Sequence, residues 1–420
     1  NSERIIDWLG NSYSPFHAVK NIEDELLDHG FTELDEREEY RIEPGHSYYV
    51  KRSDSSILAF RIPVDVNKPS LRITAVHTDS PTFKLKPNPV IKKGNLLMLN
   101  VEPYGGLIYS TWVDRVISFA GRVVVKTDKG IETKLLAIDR DLAQIPNLCI
   151  HFNRDINGGF AYNPAKDLIP LFGQSEEDFD FNEYLLKQLQ TEGEVFSHDL
   201  YLYNRDKPRR VGLSGEFLSS GRLDDLASDY SCLLGFLNGG SEGYIDIFVA
   251  FDNEEVGSLT RQGANSDFLS MNTARILDAL KMGNRRGEIY ARSFLLSVDN
   301  AHANHPNYPE YGDVTTKVAL NGGIVIKYNA NQKYTSSAIS AAFVKEVATK
   351  ANVKVQEFTN RSDLRGGSTL GNISNSEISL NSCDIGLPQL AMHSALEIMG
   401  IHDLEALVKL TQAFYSSESN

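Results

Sequence analysis

The feature that most constrains the fold is an alternation of apolar strands with helices that is interrupted once. Strand-like runs at 71–76, 244–251 and 294–298 are separated by stretches with apolar residues at helical spacing, such as 224–237. Between about 87 and 212 the pattern changes to short strand-like segments and turns. Strands that alternate with helices favour a parallel or mixed sheet covered on both faces. We therefore predict an α/β fold, a mixed sheet flanked by helices, with an inserted β-rich domain.

The length of the chain indicates more than one folding unit. Its 420 residues exceed what a single hydrophobic core usually organises, and 41% of them are hydrophobic, as in globular proteins. The change of pattern places the domain boundaries near residues 90 and 212. We predict a discontinuous α/β domain formed by residues 1–90 and 213–420, and an inserted β-rich domain formed by residues 91–212.

Charge and cysteine content exclude several classes of protein. The formal net charge is −14 and the sequence pI is near 5.2, so the surface repels phosphate backbones and we expect no nucleic-acid partner. No apolar run reaches the roughly 18 residues that span a bilayer, and we expect no membrane association. Three separated cysteines without a C-x-x-C pair fit a reducing compartment. We expect a cytoplasmic protein.

Acids and histidines recur just beyond the ends of the predicted strands and at one helix start. α/β folds place their functional sites outside the carboxyl ends of the strands. The residues concerned are His77 and Asp79, Asp224 and Asp225, Glu254 and Glu255, Asp299, and His393. Imidazoles and carboxylates are ligands that zinc takes in proteins. A hydrolase with two such ions also needs a bridging carboxylate and another carboxylate, off the metals, that accepts a proton from water.

Each of these positions also has an ordinary structural explanation. Asp224–Asp225 could cap a helix, Asp299 could form a turn, and Glu254–Glu255 could lie in a solvated turn. His393 could be a core histidine with satisfied hydrogen bonds. Other catalytic classes lack support, because the chain has no G-x-S-x-G elbow, no Walker loop and no H-E-x-x-H helix. The occurrence of all these positions at the ends of elements favours the metal-site hypothesis.

The same residues resemble the motifs of the aspartyl aminopeptidase and vacuolar aminopeptidase family of cocatalytic zinc exopeptidases. The resemblance covers nearly the whole chain. Five phrases carry it, in the family's order: His77-Thr-Asp-Ser-Pro81, Gly221-Arg-Leu-Asp-Asp225, Asp252-Asn-Glu-Glu-Val-Gly-Ser258, Asp299-Asn-Ala-His-Ala303 with His305-Pro-Asn-Tyr308, and Gln389-Leu-Ala-Met-His393-Ser. It implies a hydrolase on a zinc-exopeptidase-like fold, an aminopeptidase that removes one residue at a time from the N-terminus of peptides.

The resemblance implies a role for each of these residues. The ligands of two divalent ions per subunit would be His77, Asp224 and Asp299 for one ion, and Asp224, Glu255 and His393 for the other, with Asp224 bridging. Glu254 would be the general base that takes a proton from the metal-activated water, and Asp79 would orient His77. The side-chain types leave manganese or cobalt open as alternatives to zinc.

The resemblance also implies a homo-oligomer. In this family the insertion after the first zinc histidine forms a dimerisation domain, and dimers assemble into a tetrahedral dodecamer whose active sites face an interior chamber. A histidine of the insertion completes the site of the neighbouring subunit. His151, in the run Leu148-Cys-Ile-His151-Phe, matches that position. The alternative is a strand histidine within the dimer interface.

The preferred substrate stays open between acidic and neutral N-terminal residues. Relatives that prefer acidic residues use a histidine and a lysine whose positions match His302 and Lys327. A lysine ammonium would pair with a substrate carboxylate, but Lys327 could also be a solvated residue at a strand end. Two other functions stay open: a zinc carboxypeptidase or deacylase, for which Arg365 could bind a terminal carboxylate, and a self-assembling shell protein without catalysis.

Overall fold

The computed structural model describes residues 1–66, 69–240 and 242–417. Its α-helices, numbered in chain order, are α1 (Ser2–Asn11), α2 (Pro15–Asp28), α3 (Pro164–Asp167), α4 (Phe181–Leu189), α5 (Leu223–Asn238), α6 (Phe268–Ala279), α7 (Arg286–Ala291), α8 (Ala338–Lys350), α9 (Leu370–Glu377) and α10 (Ile401–Ser416).

The β-strands are numbered in the same way. They are β1 (Thr32–Leu34), β2 (Ser47–Arg52), β3 (Ser56–Arg61), β4 (Ser70–His77), β5 (Thr82–Lys93), β6 (Leu96–Tyr104), β7 (Val116–Thr127), β8 (Gly130–Ala137), β9 (Ala143–Gln144), β10 (Leu171–Gln174), β11 (Glu194–Asn204), β12 (Arg209–Val211), β13 (Phe217–Ser220), β14 (Tyr244–Phe251), β15 (Phe294–Val298), β16 (Ala301–His302), β17 (Ile324–Lys327), β18 (Val355–Phe358), β19 (Asn381–Gly386), β20 (Pro388–Leu390) and β21 (Glu397–Gly400).

The chain forms two compact units. The first comprises residues 1–79, 208–392 and 397–420, and the second comprises residues 80–207 and 393–396. The second unit is therefore inserted into the first, directly after Asp79. Whether this insert serves in dimerisation stays a prediction.

The first unit is built on a mixed sheet. Among the described residues its strand order is β1-β2-β3-β14-β4-β15-β19-β17-β18. Strand β4 pairs in parallel with β14 on one side and with β15 on the other. The carboxyl ends of these three strands consequently lie at the same edge of the sheet. Every residue of β4 and β14 is buried, as in a parallel sheet that is covered on both faces.

Helices cover both faces of this sheet, and alternate side chains of each strand pack against one set of helices or the other. Ile57 and Ala59 of β3 belong to a core that also contains residues of α1, α2, α5, α8 and α10. The intervening Leu58 and Phe60 belong to a second core, which contains residues of α6, α7 and α9. This alternation follows from the two-residue period of a β-strand. A smaller sheet of the first unit has the order β12-β13-β21-β20-β16.

The second unit is an antiparallel barrel. Its strands follow the order β11-β5-β6-β10-β9-β7, and a pairing between β11 and β7 closes the ring, with β8 added beyond β7. Gly121 of β7 has φ +156°, and a β-carbon there would lie 1.9 Å from the carbonyl oxygen of Asp199 in β11. Only glycine permits this close approach of the two strands. The barrel core includes Phe83, Phe119 and Leu185.

The predicted fold class, a mixed α/β sheet with an inserted β-rich domain, is confirmed. The predicted strands 244–251 and 294–298 coincide with β14 and β15. Helix α2 ends at Asp28, and Gly30 shortly after it adopts φ +78°. In the described part of the chain, no helix has both the length and the apolar character that crossing a membrane requires.

Candidate metal centre

The candidate centre lies at the edge of the sheet where β4, β14 and β15 end. His77 is the last residue of β4, Glu254 and Glu255 follow β14 in a single 3₁₀ turn, and Asp299 directly follows β15. These strands are neighbours in the sheet, so residues far apart in sequence come together. Asp224 reaches the same place from the first turn of α5.

Two groups of potential ligands form in the first unit. His77, Asp224, Asp225 and Asp299 each offer a ligand atom, and these atoms lie within 4.8 Å of one another. His77, Glu254 and Glu255 form a second group by the same measure. All four members of the first group are buried, and the two glutamates are half-buried. So many acids with little access to water indicate a site that holds cations.

The imidazole of His77 faces these carboxylates with its Nε2 atom. That atom lies 3.4 Å from Oδ1 of Asp224, 3.7 Å from Oδ1 of Asp299 and 3.9 Å from Oε2 of Glu254. It is buried and has no hydrogen-bond partner among the described residues. The other ring nitrogen, Nδ1, lies 3.1 Å from the carbonyl oxygen of Asp79 and 3.2 Å from its Oδ1. Both of these are acceptors, so Nδ1 carries a proton, and in the neutral imidazole that a metal ion requires Nε2 presents the lone pair.

The electrostatics of the metal-free cluster are strongly perturbed. Burial would lower the pKa of His77, but the carboxylates of Asp224, Asp299 and Asp79 raise it well above its usual value. Burial and the charge of Asp299 raise the pKa of Glu254 to about 9. A ring nitrogen and several carboxylate oxygens that converge in this buried place fit divalent cations that prefer nitrogen and oxygen ligands.

Two buried acids fix the segment that carries Asp224. The backbone at Asp224 departs from helical angles, with φ −85° and ψ 107°, and its N–H donates to Oε2 of Glu397 at 3.1 Å. Asp225 accepts the backbone N–H of His77 on Oδ2 at 3.2 Å. The two aspartates therefore have different surroundings, since Asp225 ties α5 to the end of β4.

Asp79 joins the histidine to the glutamate turn. Its Oδ1 accepts the backbone N–H of Glu254 and its Oδ2 accepts that of Glu255, each at 3.1 Å. The same Oδ1 lies within hydrogen-bond distance of Nδ1 of His77. Asp79 is fully buried, so its charge is compensated by these donors rather than by water.

His393 belongs to the segment 393–396 of the second unit. Its Nδ1 atom lies 2.9 Å from the carbonyl oxygen of Gly106. A carbonyl oxygen only accepts, so Nδ1 carries a proton, and in the neutral ring Nε2 is the nitrogen that can bind a metal ion. This is the state in which a histidine binds a metal ion.

Comparison with known proteins identifies the family. Residues 8–415 match the family model described as aminopeptidase I zinc metalloprotease (M18). The chain belongs to the M18 family. A relative from Clostridium acetobutylicum, named as a probable M18 family aminopeptidase 2, is 42% identical over 99% of this chain and 98% of its own.

Solved structures share the whole fold of this chain. A chain in the cryo-EM structure of the Ape4 and Nbr1 complex has a TM-score of 0.94 and 34% identity, and the match covers 99% of this chain and 85% of that one. A chain of the S. cerevisiae mApe1 dodecamer has a TM-score of 0.85 and 24% identity, over 99% and 96% respectively. The protein is a metalloaminopeptidase, and its buried cluster of histidine and acids is consistent with the zinc site of an M18 enzyme.

A cavity of about 580 Å³ opens in the first unit of this M18 chain. His302, predicted to contact the substrate, lines it together with Tyr308, Tyr311 and Phe358. Arg365 and the glycines that follow it form another part of the wall. The cavity thus combines an imidazole and a guanidinium with aromatic surfaces.

Lys327 and His151 are not among the residues that line this cavity. Lys327 is 2% exposed, its Nζ donates to the carbonyl oxygens of Asp299 at 2.7 Å and Asn300 at 3.3 Å, and it lies over the ring of Tyr334. It is therefore not a solvated residue at a strand end. His151 lies exposed on a turn of the second unit.

Glu397 and Asn300 were not predicted as site residues. Glu397 accepts the backbone N–H of Asp224. The side chain of Asn300 donates to the carbonyl oxygen of Leu223, the residue before Asp224. An acid at the start of the otherwise apolar run 397–401 was the available signal for Glu397. Asn300 directly follows a predicted ligand, but its contacts are with distant segments, which no local pattern reveals.

Proposed function

We propose that this M18 aminopeptidase uses two divalent ions, zinc by first choice, to hydrolyse the first peptide bond of peptides with a free N-terminus. The ligands are His77, Asp224 and Asp299 for one ion, and Asp224, Glu255 and His393 for the other. The observation that carries the proposal is the convergence of a buried histidine lone pair with several carboxylates at one edge of the sheet. When bound, the ions polarise the scissile carbonyl and lower the pKa of water from 15.7 toward about 7.

Glu254 acts as the general base. It accepts the proton that the attacking water loses, and it delivers that proton to the nitrogen of the leaving amine. The base must be ionised to do this, whereas burial and neighbouring acids raise the pKa of Glu254 to about 9 in the metal-free chain. Cations among these carboxylates offset the repulsion that raises this pKa, so the base functions only in the metal-loaded enzyme.

The proposed substrate preference is for an acidic N-terminal residue. His302 lines the cavity, and the Lys327 ammonium is fixed beside the peptide that follows Asp299. An ammonium group donates three hydrogen bonds, and Lys327 uses two of them on the described backbone. The third is available for a substrate carboxylate.

The proposed assembly is a tetrahedral dodecamer of dimers, built through the inserted unit, in which His151 completes the site of a neighbouring subunit. The S. cerevisiae mApe1 dodecamer shares this chain's fold and supports the proposal. Exposed apolar side chains around His151, namely Leu148, Ile150 and Phe152, fit a surface that a second copy covers. Mixing a His151→Ala variant with a Glu254→Gln variant during reassembly tests this, because complementation between two inactive chains requires a site shared by subunits.

A panel of peptides tests the activity itself. Peptides beginning with Asp, Glu, Ala or Leu are offered to metal-depleted protein reconstituted with zinc, manganese or cobalt, each with a free or an acetylated N-terminus. We expect cleavage of free N-termini only, with acidic residues preferred. Cleavage of the acetylated peptides at their C-terminal bond would instead indicate a carboxypeptidase, and absence of any cleavage would indicate a shell protein.

A further inference from the structure

The side chain of Asn300 uses its full set of N–H donors on buried partners. Its Nδ2 donates to the carbonyl oxygen of Leu223 at 2.8 Å and to Oε1 of Gln389 at 2.6 Å. Its Oδ1 accepts the hydroxyl of Ser228 at 2.6 Å. Asn300 is 4% exposed, and Leu223, Ser228 and Gln389 are at most 1% exposed. None of these bonds can be exchanged for bonds to bulk water without opening the core.

Two of these partners, Leu223 and Ser228, lie on either side of Asp224 in the sequence. Leu223 directly precedes Asp224, and Ser228 lies one helical turn after it on α5. Asn300 itself directly follows Asp299. The side-chain amide of Asn300, the residue after Asp299, therefore makes hydrogen bonds to residues on both sides of Asp224.

The peptide that joins Asp299 to Asn300 is also held from the opposite side. Lys327 donates to the carbonyl oxygens of both residues. Gly386 packs against the same place, since a β-carbon on it would lie 2.0 Å from the carbonyl oxygen of Asp299. The end of β15 is consequently fixed before any substrate arrives.

These links hold the ligand-bearing segments in place against the mutual repulsion of their carboxylates. The carboxylates of Asp224, Asp225 and Asp299 lie within a few ångströms of one another and repel each other when no cation lies between them. Rigid links between the segments that carry them keep the ligand atoms in place against this repulsion. Partners behind metal ligands commonly change metal affinity by about 10- to 100-fold when they are removed.

We infer that Asn300 is a positioning residue that sets Asp224 against Asp299 and thereby the affinity of the site for divalent ions. This inference rests on the proposed function for its choice of ligands. Asn300 touches neither ion nor substrate in this scheme, and it acts through the backbone carbonyl of Leu223 before Asp224 and the hydroxyl of Ser228 after it.

The test compares Asn300→Leu, which keeps the branched shape of the side chain but removes its N–H donors and its carbonyl acceptor, with the wild-type enzyme. Ser231→Ala is the matched control, because Ser231 is also buried on α5 but donates to Ala227 rather than to Asn300. Each protein is dialysed against chelator-buffered zinc, and bound zinc per folded chain is measured by elemental analysis. We expect Asn300→Leu to lose affinity by about 10-fold or more, and Ser231→Ala to match the wild type. We also expect kcat at subsaturating zinc to fall while KM stays within about twofold.

Wild-type zinc affinity in folded Asn300→Leu protein would overturn the inference, even if its melting temperature had dropped, because that result describes a purely structural amide. If Asn300→Leu does not fold, Asn300→Ala carries the same expectation without the larger volume of leucine. An equal loss of affinity in Ser231→Ala would also overturn it. A wild-type protein that binds two ions but hydrolyses no peptide would instead refute the proposed function and leave the positioning role of Asn300 standing.

Discussion

Asp79 accepts the backbone N–H of Glu254 on the same Oδ1 atom that lies 3.2 Å from Nδ1 of His77. One buried carboxylate thus sets the orientation of a proposed metal ligand and the conformation of the turn that presents the proposed base. The functional consequence of this link can be measured separately for the two residues.

Glu254→Gln is expected to abolish turnover, with a loss in kcat of about 100-fold or more, because an amide cannot accept the proton of the attacking water. Zinc stoichiometry should stay at the wild-type value, because the proposed ligands are other residues. The measurement is kcat together with elemental analysis of the same preparation. Hydrolysis at the wild-type rate would show that another group serves as the base.

Asp79→Asn should lower kcat by about 10- to 100-fold. Either orientation of the amide places its NH₂ group against an N–H donor of His77, Glu254 or Glu255, so the turn and the imidazole cannot both keep their positions. Asp35→Asn is the control, because Asp35 is an exposed carboxylate paired with Arg37. A wild-type kcat in the Asp79→Asn variant would contradict the positioning role of this carboxylate.

Arg365→Gln should reduce kcat/KM for peptides that begin with Asp or Glu about 5-fold more than for peptides that begin with Ala. The reason is that its guanidinium lines the cavity together with His302, and loss of one charge pair of this kind corresponds to about 1 kcal/mol. Lys317→Gln is the control, since Lys317 is an exposed cation of a nearby loop. Equal losses for acidic and neutral peptides would place the substrate's first side chain elsewhere.

Asp246 should make the stability of the first unit depend on pH. Burial raises the pKa of Asp246 to about 7, although Arg61 and Arg72 oppose this rise. The folded state therefore binds this proton more tightly than the unfolded state. The stabilisation is complete below the unfolded pKa near 3.8, and it is lost as the pH rises to about 7.

Asp246→Asn removes this titration. The free energy of unfolding of the variant, minus that of the wild type, should rise by at most about 4 kcal/mol between pH 4 and pH 7 and stay constant above pH 7. Scanning calorimetry of both proteins at matched pH values provides the measurement. A difference that does not change with pH would mean that Asp246 keeps an ordinary pKa beside Arg61.

The strands that carry the site were predictable from the sequence, whereas several contacts behind the ligands were not. Strands β14 and β15 were predictable because a strand buried on both faces is a nearly continuous apolar run, and the acids that follow them stand out. The burial of Lys327 was not predictable, because a lysine at a strand end has the same local pattern whether it is solvated or enclosed. The contact from Glu397 to Asp224 depends on how β21 joins β13 in the smaller sheet, and no local periodicity encodes that pairing.

The central position of β4 has a consequence for biosynthesis. This strand leaves the ribosome long before β14 and β15, which supply the hydrogen-bonding partners on both of its edges. Until those segments are made, an apolar strand with two unpaired edges is exposed in the nascent chain, and such edges template aggregation. The inserted barrel, whose strands mostly pair with near neighbours in sequence, can fold during this interval. Recombinant yield should therefore respond to translation rate and to chaperones that shield the N-terminal segment.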